Sequence, residues 1–376
     1  MTNTINPADD TTAVPVSEPQ IPTTVVGKAL MQLRAALSAQ AAQVVLILIA
    51  IIIVFSILAP GAFPLWSNFR LIIQNLAVLG ILGIGMTFVI ITSGIDLSVG
   101  SVLVFSGVTS AMVMQAMGGN GWGTSIVGLL IAIASGAAWG VINGFFIAKA
   151  KVPPLIVTLG SFGAALGLAE VFTGGIDIKN VPQELTNVVG YGNLPGTTIP
   201  VLAIIALVFL VAFGILLHRT RFGLHTFAIG SNEEAARRVG IKVGGHLIWV
   251  YGITGALAGF AGLLSLAQYN TTAIAGQTTT NLTVISAVVI GGTSLFGGSG
   301  TIFGTVIGLL IPAILQNGFV ITGVQPFWQQ VAVGVVLVAA VYIDQRRRAS
   351  ATRARKPSGS LFARRGGKST PSHQQS

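Results

Sequence analysis

The sequence predicts an all-α fold, a polytopic membrane bundle of about ten crossing helices. Three observations carry that prediction. Only 8% of the 376 residues are charged and 52% are hydrophobic, whereas an ordinary soluble domain is about 25% charged. Residues 97–148 and 243–343 contain no Asp, Glu, Lys or Arg, and each stretch is too long for one crossing of ~20 residues. The formal net charge is +10, and residues 345–376 carry +9. A soluble globular enzyme and a disordered chain are thereby excluded. So is nucleic-acid binding, which needs basic residues on a folded, aromatic-interleaved face. A basic tail instead suits the anionic inner leaflet of a lipid bilayer. The chain has no cysteine, which rules out disulfides, thiol nucleophiles and Cys-ligated zinc.

Taken in order, residues 1–40 read as a disordered cytoplasmic tail, polar and rich in Thr and Pro. Within it Leu30, Leu33 and Leu37 recur at helical spacing beside Lys28 and Arg34, which predicts a short amphipathic helix on the membrane surface. The apolar run begins only near Gln43, so no cleavable signal peptide is expected. Residues 41–345 form the transmembrane domain. Its crossings fall near 43–60, 71–93, 97–117, 123–148, 153–174, 198–217, 246–268, 281–295, 300–318 and 326–343. The eighth is short, a candidate broken or re-entrant helix that is tolerated only when buried in protein. Residues 346–376 are the basic cytoplasmic tail.

Lys and Arg set the orientation. With the N-terminus inside, the cytoplasmic segments are the N-tail, 149–152, 218–245, 296–299 and the C-tail, which hold 18 of the 20 basic residues. Only Arg70 and Lys179 fall outside. The positive-inside rule then predicts a multi-pass protein of the bacterial inner (plasma) membrane with both termini cytoplasmic. Trp66, Trp122 and Trp328 sit near the outer boundary, as an aromatic belt would. Close packing in lipid needs small residues at helix contacts. Gly136/Gly140/Gly144, Gly300/Gly304/Gly308, Gly255/Gly259 and Gly163/Gly167 each fall on one helix face.

No catalytic constellation is present. Gly94 to Gly100 is one residue too long for a phosphate-binding loop and lacks its Lys. His218, His225 and His373 lie outside the predicted spans and His246 at the edge of one, without metal spacing. No catalytic residue, metal ligand or bound cofactor is expected, so a motor for this chain must lie on another subunit.

Residues 218–245 are the only long charged loop between crossings. Ser231 and Glu234 fit a capping box. Glu233/Arg237 and Glu234/Arg238 pair at i,i+4 in the favourable order, and Gly240 can stop the helix. A helix of about two turns is predicted, with Ala235, Ala236 and Val239 as a small apolar surface. It is either a solvated loop helix or one that docks on a soluble partner.

Glu234-Ala235-Ala236, followed by Gly240, resembles the EAA loop of ABC-transporter importer permeases. Further blocks resemble permeases of the ribose-type sugar importers. They are Gly85-Met86-Thr87 through Gly94-Ile95-Asp96-Leu97-Ser98-Val99-Gly100-Ser101, Val152-Pro153-Pro154 through Gly160, Gly291-Gly292-Thr293-Ser294-Leu295-Phe296-Gly297-Gly298, and Pro326-Phe327-Trp328-Gln329-Gln330. Together they cover roughly residues 70–345. The resemblance implies a type II ABC importer-like permease that translocates a monosaccharide (a ribose-like pentose, a hexose or a related polyol). It implies a homodimer, cytoplasmic ATP-binding subunits that carry ATP and Mg, and an extracytoplasmic sugar-binding protein. It also implies that Ser231, Asn232, Glu233, Glu234, Ala235, Ala236, Arg237, Arg238 and Gly240 belong to the ATPase-coupling helix.

Asp96 is the only Asp, Glu, Lys or Arg between residues 71 and 148. With Ser98 it is a candidate helix cap or gate at the cytoplasmic edge of the second crossing. Glu170 falls ~25 Å along the fifth crossing, near the outer surface. It reaches solvent there or touches a binding protein. Asn75, Asn143, Asn281, Gln316, Gln329 and Gln330 supply interhelical hydrogen bonds or a polar path. The alternative function is an ion-gradient-driven secondary transporter of a small polar solute. That mechanism needs intramembrane ion or proton ligands, and Asp96 alone is a poor supply.

Overall fold

The computed structural model describes residues 40–179, 181–275 and 279–325, with isolated positions between 327 and 342. Both predicted tails, the amphipathic helix at Leu30–Leu37 and much of the tenth crossing lie outside the described residues. The helices are α1 (Gln40–Leu58), α2 (Trp66–Ile91), α3 (Val99–Ala116), α4 (Gly121–Ala148), α5 (Pro154–Thr173) and α6 (Val201–Arg219). Two short ones follow, α7 (Arg221–Ser231) and α8 (Glu233–Arg238), and then α9 (Val243–Tyr269), α10 (Thr280–Ile290) and α11 (Ile302–Ile321). A six-residue π-helical turn, Leu185–Gly190, precedes α6.

Among the described residues seven helices, α2–α6, α9 and α11, are long and apolar enough to cross a membrane. They match predicted crossings to within a few residues. The apolar part of α1, Val44–Leu58, is shorter. The eighth predicted crossing is short, as expected. Its helix, α10, has 11 residues and rises ~16 Å, about half the hydrocarbon thickness. Most of it is buried, which is what a discontinuous crossing needs.

The α9 helix is the axis of the bundle and packs against α2, α3 and α4. Its closest partner is α4. A methyl at Gly136 would overlap the Gly255 carbonyl, and one at Gly140 would overlap the Tyr251 carbonyl. These backbones touch because no side chain separates them, which supplies the van der Waals contact that lipid cannot drive by hydrophobicity. The Gly304/Gly308 row meets α10 at Gly291 and Ala287 in the same way. Gly163 and Gly167 differ: both face open space, so this pair packs nothing within the chain. Around the core, α5 and α6 expose most of their surface.

At the end of the bundle remote from α8, residues 174–179 and 181–200 fold over the helix ends. Asp177 Oδ1 accepts hydrogen bonds from Thr272 Oγ1 at 2.9 Å and the Ile274 amide at 3.1 Å. Glu184 accepts from the Gly121 amide at 3.1 Å, where α4 starts. Trp66, Trp122, Arg70 and exposed Glu170 lie toward this end.

Candidate functional site

The predicted loop helix forms, and its boundary is corrected by one residue. Its N-cap is Asn232, in extended backbone, whose Oδ1 accepts from the Ala235 amide at 2.9 Å. Ser231 is the last residue of α7, so the Ser231–Glu234 capping box does not form. Helix α7 runs on through Ser231 because the Asn232 amide still donates to the Ala228 carbonyl at 3.1 Å. The other end stops as expected. Gly240 is left-handed with φ +88. Its amide donates to the Arg237 carbonyl, and the Ile241 amide reaches back to Ala236, both at 3.1 Å. That pairing is a Schellman motif, and Ile241 packs against the cluster of Ile229, Ala236 and Val243.

Six residues cannot hold a helix by propensity alone; capping and one anchor hold this one. Ala236 is buried with Ile229 and Val243. The predicted apolar surface therefore divides. Ala236 faces inward, while Ala235 and Val239 face out, with Val239 77% exposed. Arg237 pairs with Glu233 at 2.6 Å, and Arg238 pairs with Glu234. All four side chains are at least half exposed, so the pairs add little stability and leave their charges available to a partner. Ser231, Asn232, Glu233, Glu234, Arg237, Arg238 and Gly240 are all exposed.

A second polar assembly lies inside the bundle. The chain leaves α2 at Ile91 and re-enters the protein through residues 94–98 before α3 begins. Asp96 does not cap α3. Its Oδ1 accepts from the Ser98 amide at 2.8 Å and from Ser98 Oγ at 2.6 Å, which is an Asx turn ahead of the helix. Ser98 is the N-cap residue, and its side chain caps nothing. Instead Ser98 Oγ accepts from Asn143 of α4 at 2.9 Å, and Asn143 Oδ1 accepts from Ser161 of α5. Thr158 donates to the Ile95 carbonyl at 3.1 Å, and Asn281 of α10 donates to the Leu97 carbonyl at 2.9 Å. Tyr251 of α9 places its hydroxyl beside Gly94.

The depth of this node follows from helix rise. Asn143, Ser161, Tyr251 and Asn281 lie five to nine residues from the α8-side ends of their helices, or roughly 8–14 Å. Asp96 is therefore drawn into the bundle, 2% exposed, rather than left at its edge. The cause is that polar groups of an irregular segment at this depth need partners: α5 and α10 supply them to the Ile95 and Leu97 carbonyls, and α4 to the Ser98 hydroxyl. Sequence reasoning singled out Asp96, Ser98, Asn143 and Asn281, which the node brings together. It missed Ser161, Thr158 and Tyr251. Asn75 also bonds between helices, accepting from Gln268 at 2.6 Å and Tyr269 at 3.2 Å, while Gln316 is exposed.

Apolar crossings packed on glycine, a capped and exposed short helix, and a buried polar node define a multi-pass helical membrane protein. Residues 68–341 match the family described as branched-chain amino acid transport system / permease component, and the chain belongs to that family. It is 37% identical over 303 residues to the ribose import permease protein RbsC of Escherichia coli K12, covering 80% of this chain and 92% of that one. The corresponding RbsC of Bacillus subtilis is also 37% identical, over 305 residues, with the same coverage of each chain. The fructose import permease protein FrcC of Rhizobium meliloti is 32% identical over 313 residues, 82% of this chain and 86% of that one. No solved structure matches the chain.

Proposed function

We propose that this chain is the membrane-spanning permease subunit of an ATP-binding cassette importer for a monosaccharide, delivered by an extracytoplasmic binding protein. The observation that carries the reading is similarity to ribose and fructose import permeases over nearly the whole membrane domain. Allose joins them through the D-allose permease AlsC of Escherichia coli, 33% identical over 300 residues. The absence of a catalytic triad or phosphate loop from the sequence agrees with a subunit that moves solute while ATP and Mg sit on a separate ATPase.

Helix α8 is the site for that ATPase. Its outward face offers Glu233, Glu234, Arg237 and Arg238 around Ala235 and Val239, with the geometry fixed by Asn232 and Gly240. An exposed apolar residue ringed by charge is the pattern of a docking centre with a polar rim. The basic-residue count puts this face in the cytoplasm, along with both termini. The cap formed by residues 174–179 and 181–200 then faces the sugar-binding protein, and two copies of the chain enclose the path as a homodimer.

The test is affinity purification of the tagged chain from gently extracted membranes of its own cells, beside a Glu234→Arg variant at equal abundance. An ATP-binding subunit that accompanies the parent and is lost from the variant supports both the function and the place of α8. A parent that brings no ATPase overturns the motor, and buried Asp96 then becomes the first residue to examine as a proton or ion ligand for gradient-driven transport.

A further inference from the structure

The α8 loop and the buried node are joined by one residue. Ser93 follows α2, and although it is not glycine its backbone is left-handed, with φ +63. That conformation is unfavourable for a residue with a Cβ and persists only where the surroundings hold it. Ser93 Oγ lies 2.9 Å from the Phe296 carbonyl and 3.3 Å from the Gly230 carbonyl. A hydroxyl has one proton, so it donates to one of the two at a time or is shared between them. Gly230 sits two residues before the N-cap of α8, and Phe296 lies in the loop between α10 and α11.

The same junction is closed on backbone. The Gly298 amide donates to the Ile91 carbonyl at 2.9 Å. A Cβ on Gly230 would overlap the Ile91 carbonyl, and one on Gly297 would overlap Ser93 Oγ. Three chain segments therefore meet closely at glycines, with small hydroxyl side chains, Ser93 among them, at the contact. Three residues beyond Ser93, Asp96 enters the node that ties α3, α4 and α5.

We propose that Ser93 is a positioning residue of the transport cycle, fastening the α7–α8 elbow and the 291–298 loop to the segment that carries Asp96. A displacement of α8 moves Gly230, Ser93 carries it to residues 94–98, and the node passes it to α3, α4 and α5. The two acceptors give the hydroxyl two settings, one for each neighbour. This rests on the reading of α8 as the ATPase-docking helix.

Ser93→Ala removes the hydroxyl and keeps the strained backbone. Ser93→Gly removes the hydroxyl and relaxes the backbone. If Ser93 only shaped the turn, glycine would serve as well as serine. Both variants are tested in the full complex with its ATPase and binding protein, using whichever of radiolabelled ribose, fructose or allose the parent takes up. The expected result is ATP hydrolysis within about twofold of the parent and solute moved per ATP reduced by about fivefold in both, the scale of one lost hydrogen bond. An unchanged ratio in Ser93→Gly overturns the proposal. A parent that binds no ATPase overturns the functional reading instead.

Deuterium exchange on the parent complex, with and without a non-hydrolysable ATP analogue, decides the matter even if neither variant reaches the membrane. Segments 91–98, 228–234 and 294–299 should change protection together. A change at 228–234 with 91–98 unaltered overturns the proposal.

Discussion

Asn143→Leu tests whether the buried node holds the bundle together. Asn143 is 1% exposed and links the start of α3 to α5 through Ser98 and Ser161. Leucine keeps the branching and the number of side-chain heavy atoms, so the change removes two hydrogen bonds and opens no cavity, while its greater bulk adds an overpacking cost. Interhelical side-chain bonds in membranes average about 0.6 kcal/mol and reach about 1.7, so the two together are worth about 1–3 kcal/mol. The orphaned groups keep the cost below the upper limit. Ser98 retains its bond to Asp96, and the Ser161 hydroxyl can turn to a carbonyl one turn back on its own helix.

The control is Asn75→Leu, which also loses two bonds but at an exposed position, where the added bulk meets no close packing and Gln268 and Tyr269 are free to turn to other partners, at under about 1 kcal/mol. The assay is unfolding of the purified chain by SDS in mixed micelles, followed by tryptophan fluorescence. A double-mutant cycle pairing Asn143→Leu with Ser161→Ala should give a coupling of about 0.5–1.5 kcal/mol. If Asn143→Leu is no more destabilising than Asn75→Leu, the node is not structural and the depth assigned to it is wrong.

Three further outcomes are expected. Asn232→Ala removes the side-chain cap of α8 at a cost of about 1 kcal/mol; amides 235–239 should exchange faster while those of α9 stay protected. Gly140→Val drives a branched side chain into the Tyr251 carbonyl and should abolish accumulation in the membrane, whereas Gly163→Val, facing open space, should accumulate normally; immunoblots of membrane fractions distinguish them. Val239→Asp puts a charge at the centre of the proposed docking face without touching the Ala236 anchor. It should cut ATPase affinity about tenfold or more at unchanged thermal stability, read by titrating the ATPase onto the immobilised chain.

Much of the architecture was legible in the sequence because lipid imposes long, uncharged apolar runs that few other folds tolerate. The C-terminal end and the pairings of α8 were legible too, since Glu233/Arg237, Glu234/Arg238 and Gly240 act locally in the chain. The start of α8 was misplaced by one residue. Ser231 and Asn232 are both competent caps, and only the continuation of α7 through Ser231 decides between them. The shortness of α10 was legible, but its buried start near Thr280 is set by partners on other helices, not by its own composition. The node was half legible for the same reason. Asp96 and Asn143 stand out as polar groups in apolar runs, but Ser161, Thr158 and Ser93 look like any small polar residue in a membrane helix or turn. Their partners lie 18, 63 and more than 130 residues away in the chain, and no local spacing records that. Gly163 and Gly167 show the converse: a small-residue pair visible in the sequence that contacts nothing within the chain.

The most direct test of the central claim is uptake by proteoliposomes containing this chain and its ATPase, supplied with the binding protein loaded with radiolabelled ribose, fructose or allose. Uptake should require ATP and continue at an unchanged rate when a protonophore collapses the proton gradient. Uptake that stops with the gradient while ATP is still present, or that proceeds without ATP, would contradict an ATP-driven permease.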